Sequence, residues 1–280
     1  MPSLEAIYNL KSKEKIICDM YVSGLSSNKI GEKLQISKSS VKKILKKNNV
    51  QIRDSSTSHK IYNCDESIFE NIDSHEKAYW VGFLLSDATI TNGSLKLALS
   101  TKDLCHIQKF KIFMKSDHNI HTYKQLISKS SIIKNRDKEY FYGIIDIHSS
   151  KIINDLLQYS ITTNKSFTTE FGKNIPEKFI NSYMGGLIDA DGFVTVSNNK
   201  ITLGFLSHTN FSIAFNKKLH EKLNVSTNKL ISHHSNNNLK IVRFSGKQVL
   251  DIGKLIYNDS PIYLERKRDK ILNFFKKDCF

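Results

Sequence analysis

The 280-residue sequence predicts an α+β fold of two pseudo-symmetric repeats behind a small all-α unit. Three observations carry this prediction. An apolar nonapeptide closing on a carboxylate occurs twice. Each copy is followed by the same alternation of strand and helix signals, and the first fifth of the chain is helical, polar and basic. Composition narrows the partners: 42 Lys and Arg against 27 Asp and Glu leave a formal charge of +15, which calls for a polyanion, nucleic acid first. No stretch approaches the roughly 20 apolar residues that span a bilayer, so no membrane partner is expected.

Residues 1–58 read as a helix-turn-helix domain with its linker. Ile30, Leu34, Ile36, Val41 and Ile44 fit two short helices packed across a tight turn within Ser27–Lys46. Gly31 supplies a small residue at the crossing, and Ser37 suits the N-cap of the second helix. The stretch Glu14–Ser23 reads as a support helix with Ile16, Ile17 and Met20 inward. Residues 1–60 hold 12 Lys and Arg against 5 Asp and Glu, nearly half of the net charge. The segment resembles resolvase-like or homeodomain-like helix-turn-helix modules over residues 12–53, with Gln35 where such turns often carry Gly. That resemblance puts Lys38, Ser39, Ser40, Lys42 and Lys43 at the start of a recognition helix. Residues 54–58 are short and polar, as a hinge would be.

The nonapeptide follows at Trp80–Ala88 and again at Met184–Gly192, with Asp87 and Asp191 104 residues apart. Each copy holds two small residues four apart, Gly82 with Ser86 and Gly186 with Ala190, which share a helix face. Two such helices can cross with their backbones close together, bringing Asp87 and Asp191 side by side. A carboxylate at a helix C-terminus opposes the helix dipole, and two together repel. A local rule broken twice in the same way marks a functional site. The natural compensation is a hard divalent cation such as Mg²⁺, held by carboxylate and carbonyl oxygens.

Each acid leads into a hairpin. Thr89–Leu99 turns at Asn92-Gly93, and Phe193–Leu203 turns at Asn198-Asn199. Helices are expected at Leu104–Met114 and Phe211–Leu223. Strand pairs follow near His121–Ile127 with Tyr140–Ile147, and near Lys229–His234 with Leu239–Phe244. Closing helices are expected at Lys151–Tyr159 and Lys247–Tyr257. The order αββαββα thus repeats, over 59–170 and 171–280. The Ser- and Lys-rich stretch 127–138 reads as a loop, either a hairpin tip or a phosphate contact. Four scattered cysteines form no zinc or disulfide pattern, and Cys18 and Cys105 read as core thiols. With no secretory signal in Met1–Leu10, an intracellular setting is expected: cytoplasm or nucleoid, or an organelle if organelle-encoded. The pairs His118/His121 and His233/His234 lack a third ligand nearby and read as strand or loop surface.

The two nonapeptides resemble the motif of the LAGLIDADG homing endonucleases. All seven residues Gly186–Gly192 fit it. The first copy is looser, with Leu85, Ser86 and Ala88 replacing Asp, Ala and Gly. The resemblance covers most of residues 75–275 and implies a monomer whose sheets form a β-saddle over the major groove of double-stranded DNA. It further implies a staggered break at a long target, by Mg²⁺-dependent hydrolysis at Asp87 and Asp191. The outward saddle residues are then Thr91, Ser94, Lys96, Thr195, Ser197, Asn198, Lys200, Thr202, Lys240 and Arg243. By the same likeness Lys165, 78 residues after Asp87, and Lys267, 76 after Asp191, are the basic residues of the site; Lys267 lies in a closing Tyr-Leu-x-Arg-Lys stretch. Two alternatives share the fold: a DNA-binding regulator that has lost cutting, and an intron RNA maturase. A recognition helix favours duplex DNA over the narrow groove of A-form RNA.

Overall fold

The computed structural model describes residues 4–52, 62–91, 93–126, 139–163, 169–226, 228–233 and 236–276. The chain divides into two compact units, Met1–Tyr62 and Asn63–Phe280. The stretch 127–138, the hinge at 54–58, His234 and Lys165 lie outside the described residues.

In the first unit, α1 (Leu4–Val22), α2 (Ser27–Leu34) and α3 (Lys38–Lys47) enclose Ile17, Tyr21, Ile30, Val41 and Leu45. The caps explain the boundaries. Ser26 and Ser37 accept hydrogen bonds from the amides of Lys29 and Ser40, satisfying helix-start donors. Gln35 ends α2 in the left-handed region at φ 54°, doing the work a glycine does more cheaply. Gly31 is required by proximity: a Cβ there would stand 2.6 Å from the Ile36 carbonyl oxygen. The inward stripe of α1 is Ile17 and Tyr21 rather than Ile16, which is 47% exposed. Ile16 and Tyr21 are five apart and face different sides of a 3.6-residue helix.

The second unit contains two four-stranded antiparallel sheets. The first half runs α4 (His75–Asp87), β1 (Ala88–Thr91), β2 (Ser94–Ser100), α5 (Leu104–Phe113), β3 (Ile120–Leu126), β4 (Glu139–His148) and α6 (Ser150–Leu157). The second runs α7 (Ile180–Asp191), β5 (Phe193–Ser197), β6 (Lys200–His208), α8 (Thr209–Leu223), β7 (Ile231–His233), β8 (Asn236–Ser245) and α9 (Lys247–Tyr257). Strand orders correspond, β1-β2-β4-β3 and β5-β6-β8-β7. A further helix, α10 (Glu265–Lys276), closes the chain and was not anticipated. It lies along β5, where the Lys270 ammonium donates to the Val194 carbonyl at 3.0 Å.

Helices α4 and α7 form the centre. Both are apolar on every side and are accordingly buried through Ala78–Leu85 and Ser182–Asp189. Tyr79, Trp80, Phe83 and Tyr183 are fully enclosed, each contributing on the order of 1.5–3 kcal/mol by area. The helices cross backbone to backbone: a Cβ at Gly82 would lie 2.1 Å from the Tyr183 carbonyl oxygen, and one at Gly186 2.1 Å from that of Tyr79. Cys105 is exposed, contrary to its reading as a core thiol, because α5 buries His106, Ile107 and Phe110 instead.

Candidate active site and nucleic-acid face

The crossing places the ends of α4 and α7 together. Asp87 is the last residue of α4 and Asp191 the last of α7. Ser86, beside Asp87, lines the same cavity of about 260 Å³ as Asp191. The α7 end turns sharply: the Gly192 amide donates to the Ile188 carbonyl at 2.9 Å, and a Cβ on Gly192 would stand 2.5 Å from that oxygen.

Lys267 reaches this end from the start of α10. Its side chain is buried, and its ammonium donates to the carbonyls of Ile188, Asp189 and Ala190 at 2.8, 2.6 and 3.1 Å. All three protons therefore cap α7, neutralising the negative end of its dipole where Asp191 adds more charge. Burial lowers the ammonium to about 8; Asp189, Asp87 and Asp191 oppose the fall, and Arg266 adds to it. The carboxylates that end the two helices, Asp87 and Asp191, are the oxygens that would meet a cation there. An oxygen-only pair suits a hard ion that takes one or two carboxylates and fills its shell with water and phosphate oxygens, as Mg²⁺ does. Among the described residues no group of three or more His, Cys, Asp or Glu forms a metal cage. His118 hydrogen-bonds Ser116 at 2.7 Å.

Sequence reasoning gave no role to Asp189, two residues before Asp191. This carboxylate is 1% exposed and accepts from the hydroxyls of Tyr79 (2.8 Å) and Tyr257 (2.7 Å) and from the Leu264 amide (2.7 Å). Burial raises it to about 6, and those donors, with Lys267, hold it lower than burial alone would. The Tyr79 oxygen also lies 3.0 Å from His106 Nε2. With the Tyr79 proton spent on Asp189, His106 is the donor of that contact, which fixes its Nε2–H tautomer. Burial holds the His106 imidazolium down to about 4, so the ring is neutral near pH 7. Arg266 Nε bonds both oxygens of Asp103, and Lys109 pairs with Glu265, so α10 also grips the first half.

The strand registers decide which side chains share a face, because alternate residues point oppositely. Thr91 pairs with Ser94 and Lys96 with Asp146, opposite the buried Ile90, Leu95 and Leu97. Thr195 pairs with Thr202 and Ser197 with Lys200; Gly204 pairs with Arg243. These residues lie on the face opposite Ile201, Leu203, Val242 and Phe244, and Asn198 sits in the hairpin turn with φ 49°. Two expected outward residues differ. Lys240 shares the parity of Val242 and Phe244, so it lies on the helix-facing side and donates to Ser232 Oγ at 2.8 Å. It is three residues from Arg243, and a regular strand cannot aim both the same way. Ser94 lies on the outward face but is 2% exposed, its hydroxyl 2.9 Å from that of Thr91. In the first unit, Lys38, Ser39, Lys42 and Lys43 are exposed along α3, while Ser40 is half-buried against Ser37.

No family model matches the sequence, and no curated protein matches it. Solved structures do. The homing endonuclease I-WcaI bound to its DNA recognition sequence is 14% identical with a TM-score of 0.52, over 72% of this chain and 87% of that one. The I-LtrWI LAGLIDADG homing endonuclease bound to target DNA is 11% identical with a TM-score of 0.47, over 76% and 92%. Full-length DUF199/WhiA from Thermatoga maritima is 14% identical with a TM-score of 0.45, over 76% and 66%. The likeness to I-WcaI shows that the chain has the LAGLIDADG fold.

Proposed function

We propose that this protein is a site-specific endonuclease of the homing type, making a staggered break in double-stranded DNA by divalent-metal-dependent hydrolysis. One observation carries the reading: two carboxylates, Asp87 and Asp191, end two helices that cross backbone to backbone, an arrangement that a binding-only protein has no use for. Asp87 and Asp191 are the residues that would hold Mg²⁺. When bound, such an ion lowers the pKa of water and offsets charge on the phosphate.

The remaining work belongs to the chain. Lys267 acts as a positioning residue, because its protons hold the α7 end and leave none for a phosphate. Lys165 is proposed as the matching basic residue of the first half. Thr195, Ser197, Lys200, Thr202 and Arg243 supply the donors and acceptors that groove reading needs, and Thr91 and Lys96 do so on the first sheet. The exposed lysines of α3 add phosphate contacts from the first unit. One chain carries both halves, so a monomer suffices for a long target.

The engagement of Lys267 by backbone favours one second reading, a regulator that binds without cutting. Incubating the purified protein with a randomised duplex library, with Mg²⁺ and with EDTA, separates the two. Metal-dependent cuts at one sequence are expected. Enrichment of a sequence without cleavage supports the regulator and overturns the nuclease.

A further inference from the structure

The 104-residue offset between the two motifs relates other residues too. Tyr79 corresponds to Tyr183, Gly82 to Gly186, Leu85 to Asp189, and Asp87 to Asp191. The backbone crossing obeys this symmetry, since each tyrosine carbonyl receives the glycine of the opposite helix. The tyrosine hydroxyls do not. Tyr79 donates to Asp189 at 2.8 Å, whereas Tyr183 accepts from the Gly172 amide at 3.3 Å, and the partner its symmetry offers, Leu85, is apolar.

Tyr79 therefore touches α7 twice, by its carbonyl at Gly186 and by its hydroxyl at Asp189. Gly186 and Asp189 are three apart and share a face. Two anchors separated along a helix fix both its translation and its rotation; a single close approach fixes neither fully. The same carboxylate draws in Tyr257 of α9 and the Leu264 amide before α10, and the Asp189 carbonyl is one of the three that Lys267 caps. Among the described residues, the side-chain bonds to the last turn of α7 from α4, α9 and the start of α10 thus meet at or beside Asp189, two residues before Asp191. A buried polar contact of this kind holds register, because a slipped helix leaves charge and hydroxyls unpaired.

We infer that Tyr79 and Asp189 form a one-sided lock across the crossing: positioning residues that set the orientation of Asp191 relative to Asp87, with no counterpart between Tyr183 and Leu85. This role rests on the nuclease reading for its consequence but not for its existence. The lock makes the halves unequal, so the two matched tyrosines do unequal work.

Tyr79→Phe and Tyr183→Phe, each in the full-length chain, test it as a pair, since each removes one hydroxyl from the same interface. Amide exchange at Gly192, whose N–H bonds the Ile188 carbonyl, reads the α7 end without substrate or metal. Tyr79→Phe is expected to speed that exchange about tenfold, the equivalent of one lost hydrogen bond, and Tyr183→Phe to leave it within about twofold. On the duplex selected from the library, Tyr79→Phe is expected to slow single-turnover cleavage about tenfold with unchanged DNA affinity, and Tyr183→Phe to cleave normally. Asp189→Asn keeps the shape and one acceptor oxygen, and should show the same exchange change in smaller measure, which covers the case in which Tyr79→Phe does not fold. Equal exchange in the two tyrosine variants, or wild-type exchange in Asp189→Asn, overturns the lock. If the wild-type protein cleaves nothing, the nuclease reading fails and the exchange measurements alone decide the lock.

Discussion

The first sheet and the second share strand order but present different chemistry on their outward faces. On the first, Lys96 lies 3.3 Å from Asp146, and Tyr123 and Tyr142 stack with ring centres 5.7 Å apart. On the second, exposed Thr195, Ser197, Lys200 and Arg243 form a face of hydroxyls and positive charge. The crossing helices differ in the same way, being matched in glycines and tyrosines but with Leu85 standing opposite in rank to Asp189. Duplication of a repeat thus keeps what the backbone needs, the glycine contacts and strand alternation. The polar side chains differ, including Asp189, which bonds across the crossing where its counterpart Leu85 cannot. On the proposed function, unequal faces suit a duplex whose two half-sites differ.

The comparison breaks first at the glycines, where the halves should behave alike. Gly82→Ala and Gly186→Ala each force a Cβ to 2.1 Å from a backbone carbonyl that neither helix can move cheaply. Each variant is expected to lose roughly 3–5 kcal/mol, measured by denaturant unfolding. A small loss in one alone shows that the crossing is less symmetric than its geometry.

The faces should then diverge. Arg243→Ala removes an exposed guanidinium from the second face and is expected to weaken binding by about 1–3 kcal/mol, with the loss confined to one half-site. Lys96→Ala removes a side chain already paired with Asp146, and its effect should stay within about 1 kcal/mol. Binding isotherms on duplexes with each half-site scrambled in turn measure both, and equal losses contradict the asymmetry.

Much of this was legible in the residues. The paired nonapeptides, the Asn-Gly and Asn-Asn pairs and, in the first unit, the Ser37 cap are local signals, and they place these elements within a few residues. What escaped depends on tertiary partners. The role of Asp189 needs Tyr79, 110 residues away, and Lys267 could be read as a group facing phosphate until three carbonyls were seen around it. A signal for the lock was present: Tyr79 and Tyr183 recur at the motif spacing, while Leu85 and Asp189 do not match. Lys240 was misplaced although strand parity alone separates it from Arg243, and α10 went unnoticed because its charged face dilutes the apolar pattern of Ile271, Phe274 and Phe275.

The most direct measurement is single-turnover cleavage of the selected duplex by Asp87→Asn and Asp191→Asn, with affinity measured alongside. Loss of cutting by a factor of roughly 10³ or more in each variant, with duplex still bound as tightly as by the wild type, is the predicted result. Cleavage at the wild-type rate by either variant would contradict the placement of the chemistry at the meeting ends of α4 and α7.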